Sequence, residues 1–418
     1  MSVNLFAPEF HQDPYAAYRE LLAAPERIIP IPYLGAAWAF HRHADVWSLL
    51  KDPRCSSHRA AFLTAQFDAA QRQRLRDFET LFSRWMLFFD PPEHTAPRQV
   101  VAAALCPHAA AAWRPAMEAI VEELLDPICE KGYADIVRDL AQPFPALVIA
   151  ALMGVPRSDH REIVAWSDDI ATFFGNAVST FEQAERAQDG LRNLTDYLGD
   201  LLRRRRASGG NDLISQLLRL EDAGTLDEDL LAAQCAMLFF AGHETTRNLI
   251  ANGLIALLQH RDQLRELQAN PGLYATGIDE LARFDSPVQI GTRMLKEPMQ
   301  MHGCQLPEGA LLLFLFGAAN RDPAEFDEPN GLNLARTPNR HVSFGGGIHR
   351  CAGAPLARLE CEVALRAILG RCANLELAEP EIGWMQSFGF RGPRALPVTF
   401  HPRHRSVAAR IRGEVVLR

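Results

Sequence analysis

The sequence predicts a mostly α-helical fold with small β-sheets, in one domain. Three observations carry the prediction. Residues 102–205 read as successive amphipathic helices, broken at Gly132, at Gly154-Val155-Pro156 and near Gly175-Asn176. The stretch LDEDLLAAQCAMLFFAGHETTRNLIANGLIALLQH is the longest helical pattern and is nearly apolar in its middle. Strand patterns are short: MQMHGCQLPEGALLLFLFGAANRDP alternates only around Gly303 and Pro307-Glu308-Gly309, and LPVTF closes the pattern near the end.

The elements follow in order. DPYAAYRELLAA opens as a helix, with Asp13 capping and Pro14 in the first turn. WAFHRHADVWSLLKD reads as a strand feeding a helix, and residues 53–89 are mixed and polar until the aromatic run FSRWMLFF. In DPPEHTAPRQVV, Asp-Pro-Pro signals helix entry, and His94 and Arg98 lie four apart on one face. Pro97 must fall in that helix's first turn or kink it. The basic run Arg203–Arg206 ends a helix, where cations answer the C-terminal dipole, and SGGND is a connector. The tail, HPRHRSVAARIRGEVVLR, is basic and is expected to be mobile, beyond a core of about residues 8–402.

Composition excludes several classes. The 418 residues are 48% hydrophobic and 22% charged, which argues against disorder, and the net charge of −8 argues against a general nucleic-acid binder. None of the eight cysteines forms a CxxC pair, so neither a zinc site nor a disulfide framework is indicated. The first residues lack a signal-peptide pattern, and ALVIAALMGV and ALLLFLFGAA are too short to span a bilayer. A reducing cytoplasm without a membrane anchor is expected.

Three stretches carry chemistry. In FGGGIHRCAG, glycines Gly345–Gly347 permit a tight turn that can lie close against something flat. Cys351 follows, just before the helical run APLARLECEVALRAIL, where N–H groups and the helix dipole favour a thiolate. A thiolate there suits haem iron, because it pushes electron density onto the metal. In the long helix, Gly242-His243-Glu244-Thr245-Thr246 is a polar island, costly to bury without partners or a task. Glu280 and Arg283 share a helix face at i, i+3.

The order and spacing of these motifs resemble the cytochrome P450 family from about residue 8 to about residue 402. The match comprises Phe344, Gly345, Gly347, His349, Cys351 and Gly353, then Ala241, Gly242, Glu244 and Thr245, then Glu280 and Arg283, and the ANRDP stretch. Gly346 stands where bacterial members often have His, and Arg350 adds positive charge beside Cys351. The resemblance implies a single-domain P450 fold binding haem b, with Cys351 as the iron ligand and Phe344 shielding its sulfur. His94, Arg98, Arg293, His341 and His349 would reach haem propionates. Thr245 would hydrogen-bond dioxygen, Glu244 would relay protons, and a π-like widening of the helix would make room. Glu280 and Arg283 would brace the core with Arg336.

The family resemblance further implies a monooxygenase. No flavin or iron–sulfur motif is fused, so a separate ferredoxin or flavodoxin with its reductase would supply electrons, docking near Arg350 and Arg358. The loop ATFFGNAVSTF would roof the pocket. Phe88, Phe89, Phe174, Met237, Phe240, Ala241, Val288, Ile290 and Phe388 are expected to line it, which suits a hydrophobic small molecule, free or carrier-bound. The implied reaction is hydroxylation or epoxidation in bacterial secondary metabolism. The alternative is a non-oxygenating isomerase or dehydratase of the same fold, or a recruitment module.

Overall fold

The computed structural model describes residues 3–175, 179–221 and 226–403. Its long helix spans Glu228–Gln259 and begins where the Asp227 carboxylate accepts from Leu230 N at 2.6 Å. From Thr246 to Leu258 every residue of this helix is buried, which explains the missing polar stripe. It packs against helices Pro143–Leu152, Phe181–Ser208, Tyr274–Phe284 and Ala354–Arg371. Helix His160–Gly175 crosses above it and packs along Phe181–Ser208. Part of the roofing loop, residues 176–178, and the tail from residue 404 lie outside the described residues.

The expected breaks fall where the backbone turns. Gly132 (φ +72°) and Gly154 (φ +70°) end helical segments in left-handed conformation. Pro97 sits in the first turn of helix Thr95–Ala104, where its missing N–H costs nothing. The expected widening in the long helix is absent: Glu228–Gln259 is continuous α-helix, and a π-turn occurs instead at Val137–Ala141. The Thr245 hydroxyl donates back to the Ala241 carbonyl (3.1 Å), using an acceptor on the same turn rather than opening it.

Among the described residues ten short strands form three sheets: β1 (Ile28–Pro30), β2 (Ala37–Phe40), β3 (Cys55–Ser56), β4 (Tyr133–Asp135), β5 (Ile290–Leu295), β6 (Met299–Met301), β7 (Cys304–Leu306), β8 (Leu311–Leu315), β9 (Cys372–Leu377) and β10 (Pro397–Pro402). The largest sheet runs β1-β2-β8-β5-β3. Central β8 reads LLLFL because both faces are covered: Leu312 and Phe314 enter one apolar cluster, and Leu311, Leu313 and Leu315 enter another. The β6–β7 hairpin turns at His302 (φ 47°) and Gly303 (φ 77°), the two left-handed residues that match strand twist. β5 carries Thr292 and Arg293 from this sheet toward the cysteine loop's surroundings.

Candidate active site

The cysteine loop is shaped by backbone contacts. Cys351 N–H donates to the Phe344 carbonyl (2.8 Å), and Gly345 N–H donates to Val342 (2.8 Å). Gly347 has φ +64°, and a Cβ there would meet the Leu50 carbonyl oxygen at 2.3 Å, so no side chain fits. Helix Ala354–Arg371 leads away from the loop. Cys351 is exposed to a water-sized probe although protein surrounds it, the property of a side chain facing a recess. Burial pushes its thiol up. The Gly353 N–H, Arg98, Arg358 and Arg350 oppose that shift.

Positive charge gathers beside the loop. Arg59 donates to Thr292 Oγ1 (2.9 Å) and the Ser57 carbonyl (2.9 Å), and among the described residues Arg293 donates only to the Thr292 carbonyl (2.8 Å). Burial, and then the other guanidinium, pushes Arg59 down to about 9; burial pushes Arg293 down to about 10. The His349 ring lies 4.2 Å from the His94 ring, and its Nε2 contacts Ser57 Oγ at 2.9 Å. Burial, then Arg293, His94 and Arg59, push His349 down to about 3. Burial and Arg98 lower His94 as well. The Arg98 side chain has no hydrogen-bond or ion-pair partner among the described residues. Asp90 faces this group. Burial alone would raise its carboxyl, but Ser57 N–H, the Ser56 hydroxyl and Lys296 hold it below the usual range. One carboxylate against Arg59 and Arg293 leaves a buried site short of negative charge.

On the long helix, Ala241 is exposed while its neighbour Phe240 is 5% exposed, so the helix presents a small residue to open space. Glu244 Oε1 accepts from Arg247 Nη1 (2.8 Å) and Asn248 Nδ2 (3.4 Å). Glu244 and Arg247 line a cavity of about 800 Å³, with Asp168, Ser387, Phe390 and Arg394. Glu280 and Arg283 are both fully buried. Arg283 Nε and Nη2 meet Glu280 at 2.7 and 2.8 Å, and Arg336 Nε reaches the same carboxylate at 3.1 Å.

These features agree with what comparison with known proteins finds. The family model described as Cytochrome P450 matches residues 56–271 and 273–381. The chain is a cytochrome P450. The polyketide biosynthesis cytochrome P450 PksS of Bacillus subtilis is 36% identical over 404 residues, covering 94% of this chain and 96% of the relative. The 6-deoxyerythronolide B hydroxylase of Saccharopolyspora erythraea is 35% identical over 404 residues, covering 94% and 98%. A solved structure of P450BioI in complex with a hexadec-9Z-enoic acid-ligated acyl carrier protein superposes with a TM-score of 0.86 at 32% identity, covering 94% of this chain and all of that one (100%).

This P450 is therefore a haem-thiolate monooxygenase, and haem b is its cofactor. The residues present fit that group. The glycine turn leaves Cys351 open, and the under-neutralised arginines suit a cofactor bearing two carboxylates. Among the described residues no helix is long and apolar enough to cross a membrane.

Several expected site residues sit elsewhere. His341 Nε2 contacts Asp279 (3.2 Å), and its Nδ1 takes the Ser343 N–H (3.3 Å), so both ring nitrogens are engaged within the chain. Arg358 also closes on Asp279 (2.7 Å) and lies 4.5 Å over Phe344, which makes it a brace for the loop; Arg350 stays exposed. Burial would raise the Asp279 carboxyl, but His341 and Arg358 together hold it low. Ile290 packs into the sheet core, and Phe388 stacks on Phe6 (5.3 Å). Phe390 takes the place expected of Phe388, 6.1 Å from Phe174. Phe174 also meets Phe240 (5.5 Å), which meets Trp85 (5.3 Å), forming an aromatic roof. Met237 is buried in the same core, Phe88 is buried with Arg59 over its ring (5.0 Å), and Phe89 and Val288 are half-buried.

Sequence reasoning missed Arg59, Asp90 and Arg247. Arg59 stands in a stretch without periodicity, so nothing marked it. Arg247 did carry a signal, a charge inside an otherwise apolar run.

Proposed function

We propose that this P450 hydroxylates or epoxidises a hydrophobic or amphipathic small molecule of biosynthetic origin, free or held on an acyl carrier protein. A separate cytoplasmic ferredoxin or flavodoxin, with its NAD(P)H-dependent reductase, supplies the electrons. The observation that carries the reading is Cys351, open in a loop that begins with a glycine turn, beside Arg59 and Arg293, two buried arginines that share one carboxylate. The relatives' names, which include a polyketide-biosynthesis P450 and 6-deoxyerythronolide B hydroxylase, support the substrate class. The aromatic roof does too. The carrier option rests on the acyl carrier protein bound to P450BioI.

Haem b, when bound, supplies the iron that activates dioxygen. Cys351 would ligate it as thiolate, and the Gly353 N–H with Arg98, Arg350 and Arg358 favours the anion against burial. Arg59, Arg98 and Arg293, with His94 and His349, would hold the two propionates, whose charge would offset the repulsion between Arg59 and Arg293. The Thr245 hydroxyl can leave the Ala241 carbonyl to donate toward oxygen, and Glu244 carries protons to it. Trp85, Phe174 and Phe240 exclude water from the roof. A non-oxygenating protein of this fold would be expected to lack the thiol or the acid–alcohol pair, and this chain keeps Cys351, Glu244 and Thr245.

The test is Cys351→Ala. The reduced carbon-monoxide complex of the parent should show the long-wavelength band of thiolate-ligated haem, and the variant should lose it. A variant that keeps the band overturns the ligand assignment. A substrate-induced spectral-shift screen of fatty acids, macrolactones and terpenoids then assigns the class; no shift from any hydrophobic compound would overturn the substrate reading.

A further inference from the structure

Monooxygenation consumes protons in a fixed ratio: RH + O2 + 2 e− + 2 H+ gives ROH + H2O. Those protons must reach a site roofed by aromatic rings, and the structure offers a polar way in. The cavity of about 800 Å³ that contains Glu244 is walled by the helix His160–Gly175, the long helix and the segment Met385–Arg394. Its outer residues His11, Gln386 and Arg394 also line a neighbouring cavity of about 530 Å³ at the surface. Water can therefore stand between solvent and the Glu244 carboxylate, whose side chain is 15% exposed.

What holds Glu244 there is Arg247. Both of Glu244's hydrogen bonds, from Arg247 Nη1 and Asn248 Nδ2, fall on Oε1, and Oε2 has no partner among the described residues. Arg247 is itself fixed. Its Nη2 donates to the Pro393 carbonyl (3.3 Å), its Nη1 meets Asn248 Oδ1 (3.2 Å) and the Met385 sulfur (3.2 Å), and the residue is 8% exposed. Its Nε is buried without a partner among the described residues, an arrangement tolerated for the sake of where the guanidinium points. The other acid of the cavity is occupied elsewhere: Asp168 contacts His243 Nε2 at 3.2 Å. Arg394 is held at Nε by the Trp384 carbonyl (2.9 Å), and burial lowers His11. Glu244 Oε2 is thus an acceptor on this wall that no described side chain takes.

We propose that Arg247 is a positioning residue for proton delivery. It pins one Glu244 oxygen, leaves the other to exchange protons with water, and so makes the polar cavity the proton route to the oxygen site. The inference rests on Glu244 as the proton carrier. A single immobilised oxygen fixes the carboxylate's direction while its second oxygen stays available, which is what general-acid delivery requires.

The test uses haem-loaded enzyme and needs no natural substrate. With NADPH and a surrogate ferredoxin and reductase, dioxygen is reduced either to hydrogen peroxide (2 e−, 2 H+) or to two waters (4 e−, 4 H+). Starving proton delivery shifts the split to peroxide. Arg247→Gln should raise peroxide per NADPH and change the solvent deuterium isotope effect, with water formation falling about fivefold, a modest share of the roughly 10²–10⁴ that a placed acid contributes. Arg247→Lys should restore part of the loss. Guaiacol oxidation driven by added peroxide, which brings its own protons, should change far less. A crystal structure of Arg247→Gln should show the Glu244 carboxylate turned from its present position. If the carboxylate turns and the split does not change, or if guaiacol oxidation falls equally, the inference is overturned. Glu244→Gln separates the two levels: no change in its split removes Glu244 as carrier, whereas a change there without one in Arg247→Gln removes only Arg247.

Discussion

Replacing Glu280 by Gln removes one charge and reverses one group, and the structure lets the cost be worked out. Glu280 is fully buried and accepts from Arg283 Nε (2.7 Å) and Nη2 (2.8 Å), Asn333 N (2.9 Å), Arg336 Nε (3.1 Å) and Asn339 Nδ2 (3.2 Å). An amide keeps one acceptor oxygen and turns an NH2 toward the remaining donors. Arg283, also fully buried, then becomes an uncompensated cation. Breaking such a pair costs about 3–5 kcal/mol. Urea unfolding at matched haem content should show that loss as a lower midpoint with an unchanged slope. The double variant Glu280→Gln/Arg283→Gln should cost less than the sum of the single variants, since neither charge remains. It will still fall short of the parent, because Arg283 also serves the carbonyls of Asn320, Pro329 and Gly331. A single-variant loss below about 1 kcal/mol, the scale of an exposed pair, would refute the reasoning.

Thr245→Ala should keep haem and substrate binding while product per NADPH falls and peroxide rises; unchanged coupling would make Thr245 a packing residue. His41 is fully buried with both ring nitrogens unpartnered, and burial and then Arg42 push it down to about 4. Its folded value lies below its unfolded one, so its contribution is present above about pH 6.5 and is lost as pH falls toward 4. Between pH 6.5 and 5 that loss is roughly 1.5 kcal/mol, and His41→Leu should abolish it in unfolding curves run at each pH. Arg350→Glu should slow reduction by an acidic ferredoxin far more at low salt than at high salt, with the haem spectrum intact. Equal slowing at every ionic strength would make Arg350 structural.

The parts legible in sequence were those with a local signature. Helix breaks at Gly132 and Gly154 follow from glycine's left-handed freedom, and the buried long helix follows from its missing polar face. The pairing of Glu280 with Arg283 follows from i, i+3 spacing, and Arg336 joins them from a position more than fifty residues away. What stayed hidden depended on which way a side chain leaves an irregular backbone. Phe388 and Phe390 are two apart in one turn, and nothing local says which meets Phe174 and which meets Phe6. His341 looked free because Asp279, its partner, lies on a helix some sixty residues earlier in the chain. The polar cavity is assembled from the N-terminal segment, the roof and a late turn, so no single stretch could announce it.

The crowding of Arg59 and Arg293 has a practical consequence. Like charges buried this closely repel, and the two guanidiniums have exchanged water for neutral acceptors and a share of one carboxylate. Any dianion that binds among them stabilises the folded chain by mass action, in proportion to the logarithm of its supply. Soluble yield in a production host should therefore track cofactor synthesis more closely than transcript level. A library screened on whole-cell turnover would mix poor loading with poor chemistry, so variants of this protein are best ranked per loaded molecule.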